Sequence, residues 1–148
     1  PTVPIAFGEV VTLDIATGEI TAVWGEDLLE VTAFAVTGKP AEIPQFVSAS
    51  TNEAGTVVIL TFDIDMADPS SYASDVTVLV DAVPVALIGL ALGTDIKTIE
   101  VSPTVPFVFG DVITITITSG NIAGADEGGL LAAITDQAVT NIVPDEQA

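Results

Sequence analysis

Within residues 111–118 (DVITITIT), isoleucine and threonine alternate strictly from Ile113 onward, and this alternation limits the fold more than any other feature of the chain. Ile113, Ile115 and Ile117 fall on one face of an extended strand, because successive side chains of a strand point to opposite sides. The pattern predicts an antiparallel strand with one face in a core and the other in water. Turn signals separate further strand-like runs, a spacing that predicts an all-β sandwich. These runs are residues 56–62, 76–80, 85–92 and 97–101.

The charge balance narrows the function classes. The 148 residues carry 21 carboxylates against two lysines, with no histidine or cysteine, for a net charge of −19. Hydrophobic residues make up 49% of the chain, so it is too apolar for a disordered acidic tail. The charge excludes a nucleic-acid partner, and the missing thiol and imidazole ligands argue against zinc and copper. Ca²⁺, which prefers oxygen ligands, is the expected counter-ion.

The first 44 residues differ from the rest. Residues 10–15 and 19–24 flank Ala16-Thr17-Gly18 and suggest a hairpin, and residues 28–36 suggest a third strand. Trp24 lies on an alternating strand and is expected in a core or an interface. We therefore predict an N-terminal strand-rich extension over residues 1–44 and a sandwich over residues 45–148.

Two segments carry motifs of a known module. In FVSASTNEAGTVVILTFDIDMADPSS, a strand ends in Thr61-Phe62 and is followed by Asp63, Met66 and Pro69. The closing segment FGDVITITITSGNIAGADEGGLLAAITDQAVTNIVP adds Gly110, Gly128-Gly129 and residues 137–141 (QAVTN). With these motifs, residues 46–144 resemble the bacterial Ig-like repeats of large cell-surface, swimming-motility and S-layer-type proteins. The resemblance implies an Ig-like antiparallel β-sandwich at a cell surface.

Three carboxylates follow the end of a predicted strand and form the first candidate metal site. Asp63 and Asp65 share one face if the strand continues, and Asp68 folds back through the next turn. Three carboxylates with loop carbonyls suit the six to eight oxygen ligands of Ca²⁺. The alternative is a solvated loop in which Asp68 caps the turn at Pro69.

Two other acidic groups are further candidates. Asp126 and Glu127 precede Gly128 and form either a second cation site or an ordinary acidic turn; they meet the first group if both loops lie at one end of the sandwich. The remaining group belongs to the extension, where it is exposed in a free monomer or bridged by cations in an assembly. Its members are Glu26, Asp27 and Glu30.

The composition argues against an enzyme and against membrane insertion. Without histidine or cysteine the common nucleophile and base arrangements are missing, and no serine stands in a Gly-x-Ser-x-Gly setting. No run of about 18 apolar residues is present to span a bilayer. The chain starts at Pro1 without a signal peptide, which we interpret as a mature, extracellular or cell-surface product.

Two function classes fit these observations. The first is a secreted structural subunit that forms a homopolymeric filament, tube or layer through strand donation and calcium bridging; its character is similar to the cannula-type filament subunits of hyperthermophiles. The donated strand would come from the apolar residues 1–15, although a frayed terminus is the alternative. The second class is an Ig-like adhesion or carbohydrate-binding module that recognises a cell-surface glycan or protein.

Overall fold

This computed structural model describes residues 10–15, 31–37, 41–126 and 128–146. The chain divides into two compact units, Pro1–Ala41 and Glu42–Ala148. In the first unit, β1 (Val10–Ile15) pairs antiparallel with β2 (Val31–Thr37). The hairpin predicted between residues 10–15 and 19–24 has its second strand outside the described residues. The described partner of β1 is therefore β2.

The second unit contains eight strands among its described residues. They are β3 (Phe46–Thr51), β4 (Val58–Phe62), β5 (Val76–Val80), β6 (Val83–Val85), β7 (Leu87–Leu92), β8 (Thr98–Pro103), β9 (Ile113–Ile117) and β10 (Ile134–Val139). Sheet I has the order β3-β4-β8-β7, and sheet II has the order β10-β9-β5-β6. All strand pairs within both sheets are antiparallel.

This strand order is that of an immunoglobulin-type sandwich. Strands A, B, E and D of that architecture form one sheet and strands C, F and G the other. Here sheet I joins the first, second, sixth and fifth strands of the unit, and sheet II joins the third, seventh and eighth with one extra strand, β6. The predicted all-β antiparallel sandwich is confirmed.

The alternating segment builds one wall of the core. Ile113, Ile115 and Ile117 of β9 are buried, whereas Thr114 and Thr116 lie on the outer face. The isoleucines pack in one hydrophobic cluster with the inward side chains of sheet I, including Leu60, Phe62, Ile99 and Val101. Among the described residues, no helix combines the length and the apolar character that crossing a bilayer requires.

The prediction of one strand over residues 85–92 is wrong. The chain leaves sheet II after β6, passes through Ala86 and enters sheet I as β7. The Ala86 carbonyl accepts hydrogen bonds from the Thr104 amide (2.9 Å) and from the Thr104 hydroxyl (3.2 Å). These bonds hold the crossing point, and Pro84 limits pairing in the short strand before it.

A two-residue turn joins β5 and β6, since Val80 pairs with Val83. Asp81 and Ala82 both have positive φ, at 49° and 65°. Positive φ at both central residues defines a type I′ turn, which favours Asp-Gly or Asn-Gly. The left-handed conformation is costly for alanine because its Cβ crowds the following carbonyl.

Replacing Ala82 by glycine is therefore expected to raise the free energy of unfolding by about 1 kcal/mol, since glycine adopts positive φ without strain. Ala132 is an exposed control outside the strands and is not among the residues with positive φ. Ala132→Gly should lower stability by less than about 1 kcal/mol through chain entropy. Urea denaturation of both variants measures the difference. Equal losses in both would contradict strain at Ala82.

Candidate assembly surfaces

Four segments meet at one end of the sandwich, which we call the loop pole: residues 42–45, 63–68, 95–97, and 123–126 with 128–129. Backbone hydrogen bonds join them. The Ala125 amide donates to the Asp65 carbonyl (2.8 Å), and the Met66 amide donates to the Ile96 carbonyl (2.8 Å). The Gly129 amide donates to the Glu42 carbonyl (2.8 Å). The two acidic loops that the sequence left unplaced therefore lie side by side at the same pole.

The three carboxylates after β4 each occupy a different setting. The Asp63 Oδ1 accepts a hydrogen bond from the Gln45 amide (2.7 Å), and the Asp68 Oδ1 accepts one from the Ser70 amide (3.0 Å). Asp65 is exposed and joins the neighbouring loop through its carbonyl. The Lys97 ammonium donates to the Asp63 carbonyl (3.1 Å). Asp68 thus caps the turn at Pro69, as in the solvated-loop alternative.

The other predicted ligands are only partly described. Asp126 is exposed at a φ of 51°, in the loop that contacts residues 63–68, while Glu127 lies outside the described residues. Asn121, which lies in the loop before Asp126, uses its side-chain amide to donate to the Asp75 Oδ2 (2.8 Å). Within the part of the chain that the structure describes, no three acidic side chains are gathered as a metal site. The acidic group predicted in the N-terminal extension also lies outside the described residues. Its members are Glu26, Asp27 and Glu30.

Few carboxylates lie on the two sheets. From Glu42 onward, only Glu100 in β8 and Asp136 in β10 lie within strands; Asp75 ends a short 3₁₀ helix (Ala73–Asp75), and the other described acids occupy loops and turns. The outer face of sheet II instead presents hydroxyls such as Thr77, Thr114 and Thr116. Negative charge is therefore concentrated away from the sheet faces, so two copies that approach through a sheet face or edge experience less repulsion than two approaching loops.

A groove lies at the pole opposite the loop pole. Its volume is about 510 Å³, and its lining mixes apolar with acidic side chains: Phe107, Phe109, Val143 and Pro144 with Glu53, Asp145 and Glu146. Phe109 is 61% exposed. Sequence reasoning missed this surface because the turn signals of residues 103–106 predict only a connection between strands.

The edges of the two sheets meet on one side of the sandwich. The edge strands there are β3 and β10, and they are bridged in parallel at Ser50 and Thr140. The Thr51 amide donates to the Thr140 carbonyl, and the Thr140 amide donates to the Ala49 carbonyl, both at 2.9 Å. The two edges are therefore joined at the end of β3 and just past the end of β10. On the opposite side the edge strands are β6 and β7.

Comparisons with known proteins find solved structures with a similar fold. No protein-family model matches the sequence, and no curated protein matches it. The fold is similar to part of a bacterial S-layer protein. The crystal structure of the N-terminal part of the bacterial S-layer protein SbsC aligns with a TM-score of 0.56 and 14% identity, over 67% of this chain and 23% of that one. The S-layer protein rSbsC(31-844) aligns with the same TM-score and identity over 66% of this chain.

This chain thus spans about a quarter of the first S-layer chain and 13% of the second. At 14% identity the likeness concerns the fold of the sandwich. It places this sandwich among domain architectures that occur in bacterial surface-layer proteins.

Proposed function

We propose that this protein is a structural subunit of the cell surface, which assembles with copies of itself into an extracellular layer, filament or tube. The observation that carries the proposal is the likeness of its sandwich to parts of S-layer proteins. The composition supports a non-enzymatic role, since the sequence has no histidine or cysteine to supply the common acid–base and nucleophilic groups.

Strand donation is the proposed mode of contact between subunits. An immunoglobulin-type sandwich leaves edge strands whose backbone groups can pair with another chain. Residues 10–15 form β1 and pair with β2, so the donor is the remaining part of the N-terminal segment, residues 1–9. Those residues are apolar and include Val3, Ile5 and Phe7.

Calcium bridging is the second proposed element of assembly. Subunits with a charge of −19 repel one another, and monovalent salt screens charges only beyond about 8–10 Å. Because no three described carboxylates gather within one subunit, a bridging ion would take ligands from two copies. Asp63, Asp65 and Asp68, together with the adjacent pair Asp126 and Glu127, are the candidates on one side. The candidates on the other are Glu26, Asp27 and Glu30.

The experiment compares Ca²⁺ with sodium chloride. We expect light scattering to rise several-fold on adding Ca²⁺ but not on adding NaCl of equal ionic strength, and electron microscopy to show regular polymers. A variant with Asp63, Asp65 and Asp68 changed to asparagine should lose most of the response. Asparagine keeps a side-chain oxygen for the Gln45 and Ser70 amides, so the fold should persist.

The matched control removes the same charge elsewhere. A variant carrying Glu53→Gln, Asp81→Asn and Glu146→Gln should assemble like the wild type, because these side chains lie outside the loop pole and outside β7 and β8. If Ca²⁺ and NaCl act equally, the effect is screening and the calcium bridge is wrong. If the protein remains monomeric under all conditions, the structural-subunit proposal itself fails.

A further inference from the structure

The search for an acceptor of a donated strand begins with the free edges of the two sheets. Strands β3 and β10 are bridged at Ser50 and Thr140, and each has a register irregularity near its other end. Among the described residues, the edge strands without such a bridge are β6 and β7. Strand β6 has three residues, and its central residue is Pro84, which has no amide hydrogen to donate. Strand β7 has six residues and contains no proline. Of these two strands, β7 offers the longer run of backbone donors and acceptors.

The register shows which backbone groups of β7 face outward. The Gly93 amide donates to the Thr98 carbonyl (2.9 Å), which places this pair at a hydrogen-bonded position of the ladder, although the Thr98 amide itself donates to the Asp95 carbonyl (2.8 Å). Antiparallel pairs alternate between bonded and non-bonded, which assigns the next bonded pair to Ala91 and Glu100. Leu90 and Leu92 then direct their N–H and C=O groups away from β8, toward the side where sheet I ends.

The side chains of β7 itself are also apolar and uncharged, although Glu100 of β8 is the pairing partner of Ala91. The sequence of β7 is LIGLAL, with no polar side chain. Ile88 is 75% exposed, and Ala91 is exposed beside it. Natural edge strands are commonly protected by charge, proline or a covering segment. The bulge between Leu87 and Gly89 is the local irregularity of β7, and it leaves the later residues extended.

We infer that the β7 edge accepts an extended segment of a second copy, namely residues 2–7 (TVPIAF) of its N-terminal segment. This inference rests on the proposed function and names its acceptor site. Neither the donated segment nor β7 carries a charged side chain, so the contact between these two strands brings no pair of like charges together. Other parts of the N-terminal region are less suitable, because residues 10–15 already pair with β2.

The lengths agree. A strand rises about 3.3 Å per residue, so the six residues of β7 extend over about 20 Å. The nine residues before β1 reach about 30 Å when extended, enough to cover that edge with some residues to spare. Pro4 gives up one hydrogen bond, a loss that an edge strand tolerates.

The first test places one positive charge on each free edge. Ile88→Lys should reduce Ca²⁺-induced light scattering at least tenfold, because a charged side chain on an edge opposes strand addition. Val83→Lys is the matched control on β6, where Val83 is 62% exposed. It should leave assembly unchanged. Circular dichroism should show the same folded monomer for both variants, since both side chains lie in water.

The second test uses the absence of cysteine from the chain. An Ile5→Cys variant and an Ala91→Cys variant are mixed with Ca²⁺ under mild oxidation, so that a mixed disulfide can form only between copies. We expect a disulfide-linked mixed dimer to form. Its yield should be at least tenfold lower when Val83→Cys takes the place of Ala91→Cys. A predominance of dimers between two Ala91→Cys chains would overturn the inference in favour of β7 pairing with itself.

Two further outcomes separate this inference from the proposed function. Normal assembly of Ile88→Lys, or of a chain lacking residues 1–9, would overturn the inference while the structural-subunit proposal stands. Failure of the wild type to assemble in Ca²⁺ would overturn both.

Discussion

Replacing Gly55 by alanine is expected to lower the free energy of unfolding by about 3 kcal/mol. Gly55 lies in the turn between β3 and β4, is buried and has a φ of +67°. A Cβ there would lie 2.1 Å from the Phe107 carbonyl oxygen, which is backbone and has no rotamer to change. The two segments are already joined, since the Phe107 amide donates to the Gly55 carbonyl (2.8 Å). Relief of the clash would break this bond.

Gly110→Ala is the control that measures the cost of a positive φ without a clash. The φ of Gly110 is +88°, but a Cβ there would meet no atom within 4 Å. Gly110→Ala should therefore lower the free energy of unfolding by only about 1–2 kcal/mol, the cost of the left-handed conformation for alanine. Chemical denaturation of both variants, with the wild type alongside, gives the two losses. If they are equal, the contact with Phe107 contributes nothing and the close packing of this turn has no energetic consequence.

The sandwich was predictable because its strongest signals are local. The alternation in β9 places Ile113, Ile115 and Ile117 inside, and the apolar run before Phe62 becomes a strand with neighbours on both sides. A period of two needs only neighbouring residues to specify which face is buried. The positions of these strands and their buried faces can therefore be predicted from neighbouring residues alone.

The crossing at Ala86 was not predictable from the same signals. Residues 83–92 form one apolar run in the sequence, and the run carries no polar residue at the point where it changes sheets. The bonds that hold the crossing come from Thr104, which is 18 residues away. Non-local hydrogen bonds of this kind leave no periodic trace, so a continuous strand is the simplest local prediction.

The candidate surfaces show the same division between local and non-local information. Asp63, Asp65 and Asp68 were identified by type and spacing, yet their partners are the Gln45 and Ser70 amides and a loop about 60 residues later. The open edge at β7 follows only from the complete strand order. Spacing could suggest where carboxylates occur but not which edges the sandwich leaves uncovered.

The separation of charge from the sheets connects the fold to the proposed assembly. Carboxylates in loops keep the subunit soluble and oppose random contacts between copies. A sheet edge without charge then becomes a favourable place for two copies to meet, and a divalent ion between loops can add a directional contact. Solubility and assembly would in this way depend on different parts of one surface, so changes at Ile88 and at Asp63 should affect assembly independently.

Replacing Asn141 by alanine is expected to cost about 3 kcal/mol, roughly 1 kcal/mol for each well-formed hydrogen bond that is lost. The Asn141 Nδ2 donates to the carbonyls of Val108 (2.8 Å) and Asp111 (3.2 Å), and its Oδ1 accepts from the Val143 amide (3.1 Å). The fully buried Thr51 hydroxyl donates to the same oxygen (3.4 Å). One side chain thus joins the end of β3, the turn before β9 and the segment after β10.

Asn121→Ala is the matched control, because the exposed Asn121 side chain makes a single bond, to the Asp75 Oδ2 (2.8 Å), and its loss should cost less than about 1 kcal/mol. Urea denaturation of both variants checks the difference. Thr51→Val tests the coupling: with its partner gone, this change should cost less in the Asn141→Ala background than alone. If the stability losses of Thr51→Val and Asn141→Ala are additive, the two side chains do not belong to one network. If Asn141→Ala lowers the free energy of unfolding no more than Asn121→Ala does, water replaces the lost hydrogen bonds without cost.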